Sequence, residues 1–272
     1  MKTILVPTDF SKASENAANC AIELASFYKD TKIILFHVYS IQKSFADSYI
    51  IPIHIEELET DSYNLLKVFS KKLVITNENI EIKLLANLGF VADEIFNIHE
   101  ERNIDLTIMG IKTMDTEAIS GGNIISVIEK SKKPVLVIPD TIKFKKPEKI
   151  AFACNYNKTL PDDTVSKLKD YINLFNAKIL IFDVLKKDEV VTAEKIKAEM
   201  NMESSLADIN HSISFPVGND LTESINNFVR KNMADVLVMI PHQYSFIQNI
   251  FHHSHTKDMV LKTEVPLLSI HE

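Results

Sequence analysis

A shift of 146 residues lays Lys2–Tyr39 onto Glu148–Leu185 without an insertion, and this repeat restricts the chain more than any other feature. Ile4 falls on Ile150, Lys12 on Lys158, Lys32 on Lys178, Ile33 on Ile179, Phe36 on Phe182 and Val38 on Val184. In both copies a short apolar run leads through a polar loop to a helix-length segment and a second apolar run, the signature of a βαβ unit. A 272-residue chain is long enough for two such units, each with its own core.

The first copy reads as strands Thr3–Pro7, Lys32–Val38, Glu81–Ala86, Leu106–Met109 and Val135–Ile138. They alternate with helices at Ser14–Tyr28, Ile55–Lys72, Val91–Arg102 and Asn123–Lys130. Ala17, Ala21, Leu24, Ala25 and Tyr28 recur at helical spacing and give the first helix one apolar face. The strands are nearly continuous Val, Ile, Leu and Phe, as expected of a parallel sheet covered on both faces. The second copy reads as strands Lys149–Ala153, Lys178–Val184, Ser212–Val217, Val236–Ile240 and Leu267–Ile270, with a shorter second helix. Thr141–Pro147, short, basic and stopped by proline, reads as a linker between domains 1–143 and 147–272.

The formal charge of −7 argues against a nucleic-acid partner, because that affinity comes from lysine and arginine displacing counterions. No apolar run approaches the length of a membrane helix, and the opening Met1–Pro7 is too short for a signal peptide. Cys20 and Cys154 are the only cysteines and lie in different copies, so reduced thiols and a cytoplasmic location are expected. His252 and His255 have a spacing that could share a metal, but no third ligand is evident, and no metal site is expected. No residue set has the sequence context of a catalytic triad, paired carboxylates or a Cys-His pair, so no catalytic residue is assigned.

Ile4–Ser11, Phe36-His37-Val38, Asp105–Gly110, Gly121-Gly122-Asn123 and Pro134–Pro139 occur in the order and spacing of the universal stress protein family. The chain resembles its tandem two-domain type over nearly its whole length. The resemblance implies two doubly wound α/β domains of the adenine nucleotide alpha hydrolase-like fold, each a five-stranded parallel sheet in order 3-2-1-4-5. It also implies an intrachain pseudo-dimer with Val135–Ile138 beside Leu267–Ile270, and a higher oligomer is compatible with that. The ligand cleft is expected where strand order reverses, at the carboxyl ends of strands 1 and 4.

In nucleotide-binding members the aspartate after strand 1 meets adenine and strand 2 lends backbone contacts; here these are Asp9, next to Pro7 and Thr8, and Val38. Those members carry Gly-x2-Gly-x9-Gly-[Ser/Thr] after strand 4, where backbone amides reach phosphates. Gly110 fits the first position, Thr113 replaces the second glycine, Gly121 fits the third and Gly122 replaces the hydroxyl, for which Ser120 is a substitute. If position 113 needs a left-handed backbone, threonine there costs about 1–2 kcal/mol. The second copy has Ile240, Gln243 and His253 at the glycine positions and Asn155 for Asp9. ATP is therefore the candidate ligand of the first domain, with none expected in the second. Asp9 as ligand contact or helix cap, and the glycines as phosphate cradle or simple turn, stay open alternatives. So do three functions: a stress-response ligand-binding module, a slow ATP hydrolase, and a ligand-free interaction scaffold.

Overall fold

The computed structural model describes residues 3–40, 55–73, 80–113, 119–154, 156, 160–187, 189–240 and 263–270, the side chains of 119–121 and 174 excepted. The first half contains strands β1 (Thr3–Pro7), β2 (Lys32–Tyr39), β3 (Glu81–Leu88), β4 (Leu106–Ile111) and β5 (Val135–Pro139). Its helices are α1 (Lys12–Ala25), α2 (Ile55–Ser70), α3 (Val91–Glu101) and α4 (Ile119–Lys130). The second half contains β6 (Lys149–Ala153), β7 (Lys178–Phe182), β8 (His211–Ser214), β9 (Val236–Met239) and β10 (Leu267–Ser269). Helices α5 (Asp162–Phe175), α6 (Ala193–Ser205) and α7 (Leu221–Asn232) belong to it.

All ten strands form one sheet, in the order β3-β2-β1-β4-β5-β10-β9-β6-β7-β8. Each half has the 3-2-1-4-5 order expected from the sequence, and within each half the strands are parallel. The halves join where β10 runs antiparallel to β5, with Leu267 opposite Val137, Leu268 opposite Leu136 and Ser269 opposite Val135. Each of these strands would otherwise present an unpaired edge, so the pairing satisfies two rows of backbone groups at once.

The repeat is carried into the register. Thr3 pairs with Lys32 and Pro7 with Phe36 in the first half; Lys149 pairs with Lys178 and Ala153 with Phe182 in the second. One aspartate per half pins the entry to the sheet: the Asp105 carboxylate accepts from the Thr3 amide at 2.9 Å, and that of Asp235 from the Glu148 and Lys149 amides at 2.9 and 3.0 Å.

Alternate residues of each strand feed two apolar layers. Ile4, Val6, Ile150 and Phe152 pack with α1 and α5 on one face; Leu5, Ala151, Ile95 and Phe228 belong to the other. The face of α1 is small-residue packing, with Ala17, Ala18, Ala21 and Ala25 all fully buried, which lets the helix axis lie close to the sheet. Across the junction, Phe27 of the α1 end meets Phe175 of α5 edge-on at 5.8 Å, and Phe144 joins them at 6.4 Å.

Boundaries shift at several ends. α1 begins at Lys12 and ends at Ala25, and the three following residues through Tyr28 form turns. α4 begins at Ile119, so Ser120, Gly121 and Gly122 form the first helical turn rather than a loop. Glycine is tolerated there because the first-turn amides have no intrahelical acceptor, and the buried Ile124, Val127 and Ile128 anchor the helix beyond them. The segment expected as a linker is held against the body: the Asn16 amide donates to the Pro139 and Ile142 carbonyls, Pro147 is buried, and Lys145 pairs with Asp235 at 2.6 Å.

Candidate functional site

β1 lies between β2 and β4, so the loops leaving β1 and β4 diverge to opposite faces and open a recess at their carboxyl ends. The loop after β1 is fixed by a dense local network. The Thr8 amide donates to the Phe36 carbonyl at 2.8 Å, prolonging the β1–β2 ladder. Thr8 Oγ1 accepts from the Phe10 amide at 3.0 Å and lies 2.9 Å from Ser14 Oγ. Ser11 is the N-cap of α1, its hydroxyl accepting from the Ser14 amide at 3.2 Å.

Phe10 adopts a left-handed backbone with φ of 64°, which costs about 1–2 kcal/mol for a residue with a side chain. Ring packing offsets that cost: Phe10 lies 4.4 Å from the His37 ring and 5.8 Å from Phe69. His37 in turn places Nδ1 2.8 Å from the Thr8 carbonyl, a structural role.

Asp9 does not cap the helix. Its Oδ1 accepts from the Ser11 amide at 3.0 Å, and the residue is exposed at the mouth of the recess. Partial burial alone would raise its pKa, but hydrogen bonds from Ser11, through hydroxyl and amide, and from the Ser14 hydroxyl outweigh it. The carboxyl is held below its ordinary range and is ionised at neutral pH.

Gly110 is neither a turn nor a left-handed residue. It is a strand residue of β4, and a Cβ built there would lie 2.0 Å from the Ala13 carbonyl oxygen, so glycine is required for α1 to start against the strand. Thr113 is likewise free of the strain expected from a left-handed backbone, since it is absent from the positive-φ residues. Its amide donates to Asp140 Oδ1 at 2.9 Å, and its hydroxyl lies 3.5 Å from that of Thr141.

The recess has a volume of about 110 Å³. It brings together Pro7, Thr8, Asp9, Val38 and Gly110, five of the residues singled out in the sequence. Gly122 lies in the first turn of α4, and a Cβ there would meet nothing within 4 Å; Ser120 and Gly121 share that turn. The sequence reading did not assign to the site Val91 at the start of α3, Met109 of β4, and Asn123 and Ile124 of α4, which with Ser14, Phe36 and His37 complete the described wall. Their signal was available: each lies where a strand ends or a helix begins beside the switch point. A larger groove of about 550 Å³ near Tyr28, Asp105 and Tyr171 is lined by Lys132 and Lys167, which pair with Glu100 and Asp163.

The equivalent place in the second half is built differently. The Cys154 amide donates to the Phe182 carbonyl at 2.8 Å, repeating the Thr8 contact, but Tyr156 takes the position of Phe10, Leu160 that of Ser14 and Asp183 that of His37. Lys195 of α6 is 2% exposed and donates to Asp183 Oδ2 at 2.8 Å and Glu189 Oε1 at 2.7 Å. Burial opposes its charge, but the two carboxylates outweigh burial and raise its pKa. For Asp183 burial prevails over Lys195 and the pKa is raised. Ile240, at the place of Gly110, is buried. Asn155, Gln243 and the histidines His252, His253 and His255 lie outside the described residues. Among the described residues no cluster of three His, Cys, Asp or Glu could hold a metal, and no helix is long and apolar enough to cross a membrane. Cys20 and Cys154 are both buried and neither is in a disulfide; burial pushes the Cys20 thiol far above its ordinary pKa.

Comparison with known proteins agrees with this architecture. Residues 1–139 match the model of the universal stress protein family. A universal stress protein of Methanocaldococcus jannaschii is 31% identical over 153 residues, covering 50% of this chain and 94% of that protein. The solved structure of a universal stress protein from Archaeoglobus fulgidus is similar with a TM-score of 0.71 at 17% identity, covering 99% of this chain and 96% of that one. A functionally unknown protein of Pseudomonas aeruginosa has the same overall fold, with a TM-score of 0.58 at 11% identity, over 100% and 92% of the two chains. The switch-point recess, the 3-2-1-4-5 order in each half and the match over residues 1–139 lead to one conclusion: this chain belongs to the universal stress protein family.

Proposed function

We propose that the chain is a non-catalytic binding module of two domains, 1–143 and 147–272, in which only the first takes an adenine nucleotide or nucleoside. The observation that supports this most is the convergence of Pro7, Thr8, Asp9, Val38 and Gly110 on one recess at the switch point. The base enters between β1 and β2, near Asp9 and the Val38 backbone, and the sugar end faces Ser120, Gly121 and Gly122 in the first turn of α4. The second domain supports its partner through the shared sheet, its corresponding strand ends occupied by Tyr156 and the Lys195–Asp183–Glu189 cluster. Membership in the family points to a role in stress adaptation within the cytoplasm.

Calorimetric titration of adenosine, AMP and ATP into the full chain tests the reading. One site per chain is expected, weakened tenfold or more by Asp9→Ala, with no release of phosphate from ATP over the experiment. Two sites per chain, or binding indifferent to Asp9→Ala, would remove the assignment. Steady turnover of ATP would move the protein to the hydrolase reading.

A further inference from the structure

We infer that the groove between the two halves, at the amino-terminal ends of the first-half strands, is a binding site of its own for a small anion carried on a flat apolar body, an aromatic carboxylate or an aromatic phosphate ester. The inference stands apart from the functional reading of the recess, which opens at the opposite end of the sheet.

Segments from both halves build the groove. Tyr28 comes from the turn after α1, Ile104 and Asp105 precede β4, and Lys132, Lys133 and Pro134 precede β5. Lys167, Asp170 and Tyr171 reach it from α5 of the second half. The six residues of β4 put it about 20 Å from the recess, at ~3.3 Å per residue. Its volume of about 550 Å³ falls within the ~300–1,000 Å³ of ordinary ligand pockets.

The walls are held in place by the fold itself. The rings of Tyr28 and Tyr171 pack against the buried layer that contains the apolar faces of α1 and α5. Buried Ser131 clamps the loop that carries two of the lysines: its hydroxyl donates to the Lys133 carbonyl at 2.7 Å and accepts from the Lys133 amide at 2.9 Å. Asp105 is fixed by the Thr3 amide at 2.9 Å.

The chemistry of these walls selects the ligand. The two tyrosine rings and Pro134 offer flat apolar surface to a planar body. Burial pushes both phenols above their ordinary range, followed by the neighbouring phenol for Tyr171 and by Asp105 and Asp170 for both, so each keeps its proton as a donor at neutral pH. Three lysines face two carboxylates in the described lining, and the Asp105 carboxylate already accepts from a backbone amide, so the groove favours an anion. The carboxylates paired with two of the lysines stand outside that lining: Glu100 is 3.7 Å from Lys132 and Asp163 is 2.6 Å from Lys167, both at the surface. Pairs of that kind contribute little in water, so a ligand carboxylate or phosphate recruits the lysines at small cost.

Because both halves line the groove, an occupant ties α5 to the entries of β4 and β5, across the junction that β5 and β10 close. Binding therefore stabilises the joined halves by mass action.

The test titrates phenyl phosphate and benzoate into the full chain by ligand-observed NMR, with inorganic phosphate and benzyl alcohol as competitors that carry the charge or the ring alone. At least one aromatic anion should bind about tenfold or more tighter than either competitor, and the tighter of the two identifies the head group. Lys132→Gln combined with Lys133→Gln should weaken it about tenfold, the value of one hydrogen bond to a charged group. Asp170→Asn removes an opposing carboxylate and should strengthen it severalfold, a gain that a misfolded variant cannot give. About a hundredfold excess over the dissociation constant should multiply the folded-to-unfolded ratio about a hundredfold, read as a higher melting temperature that the lysine variant reduces. Excess adenosine should leave the aromatic anion in place. No binding at millimolar concentration, or affinity indifferent to both the lysine variant and Asp170→Asn, overturns the inference. Displacement by adenosine also overturns it, assigning the probe to the recess and leaving the functional reading intact.

Discussion

The gapless repeat conceals a displacement between the two halves. Strand pairs repeat at one offset, Thr3 with Lys32 and Lys149 with Lys178, yet α1 starts at Lys12 whereas α5 starts at Asp162, one helical turn later than the same offset requires. Gly110 and Ile240 account for the difference. In the first half the Ala13 carbonyl rests where a Cβ of residue 110 would be; in the second a buried isoleucine stands at the corresponding strand position, and α5 begins farther along. A helix start brought against β4 leaves room for a polar loop and an open recess. A helix start held back leaves a longer loop, whose Tyr156 is buried against Phe215 at 5.5 Å, and the neighbouring strand end carries a buried charge cluster. One side chain at the switch point thus distinguishes the halves: glycine lets α1 start against β4 beside the recess, and a buried isoleucine stands at the corresponding place in the second half.

The largest expected effect comes from the filled half. Lys195→Met leaves Asp183 and Glu189 facing each other with no cation, and removing one partner from a buried ion pair costs about 3–5 kcal/mol. Urea denaturation followed by circular dichroism should show the midpoint falling accordingly. Adding Asp183→Asn and Glu189→Gln to Lys195→Met should recover most of the loss, because no unpaired charge remains. A Lys195→Met protein as stable as its parent would break the comparison, since the second half would then not depend on its charge cluster.

Gly110→Ala comes next. With its Cβ 2.0 Å from a carbonyl oxygen, alanine forces the first turn of α1 away from β4, an overpacking cost of about 1–3 kcal/mol. Ligand affinity should fall more steeply than stability, because Thr8, Asp9 and Ser14 move with that turn. Denaturation and calorimetry on the same preparation measure both. Full retention of binding would separate the recess from the helix start and dissolve the explanation given for the two halves.

The fold was legible because the apolar runs and their order depend on burial, which the alternation of strand and helix patterns records directly. All ten strands fall at their expected places, and the β5–β10 pairing follows from two exposed edges seeking partners. Helix starts were less legible. Ser11 rather than Asp9 caps α1 because the choice rests on a one-residue difference in loop geometry, and both residue types suit the role. Gly110 was read as a turn or a phosphate cradle; its packing against Ala13 joins residues far apart in the chain, and composition carries no trace of such a contact. The same holds for Asp140, whose bond to the Thr113 amide crosses from the end of β5 to the end of β4. Pro7, Thr8, Asp9 and Val38 lie on the recess, and their position was legible because the switch point follows from strand order alone.

A smaller effect is expected at the cap. Ser11→Ala removes the acceptor for the Ser14 amide, and loss of an N-cap costs about 1 kcal/mol. No matching loss exists in α5, whose N-cap residue Pro161 makes no side-chain bond. Melting curves of Ser11→Ala should shift in the first half alone; a drop well beyond that size would mean that the hydroxyl holds the whole β1–α1 loop.

The smallest effect belongs to Lys145, which ties the connecting segment to the second half. Its ammonium lies 2.6 Å from Asp235 but is 75% exposed, so solvent and salt screen the pair, and Lys145→Met should cost under about 1 kcal/mol at neutral pH. The pH dependence is more informative. Burial acts to raise the Asp235 pKa, but the bond from Lys145 and the amides of Glu148 and Lys149 outweigh it and hold the carboxyl below its ordinary value. A carboxyl depressed in the folded state stabilises the fold above its unfolded pKa, and that contribution is lost as pH falls through the folded value, in the strongly acid range. Without Lys145 the depression shrinks, so acid unfolding should begin at a higher pH in Lys145→Met, most clearly at low salt. Acid titrations of the two proteins measure the difference. If the curves coincide, the two amides alone hold the Asp235 carboxylate, and the connecting segment is anchored by the burial of Pro147 and the packing of Phe144 rather than by charge.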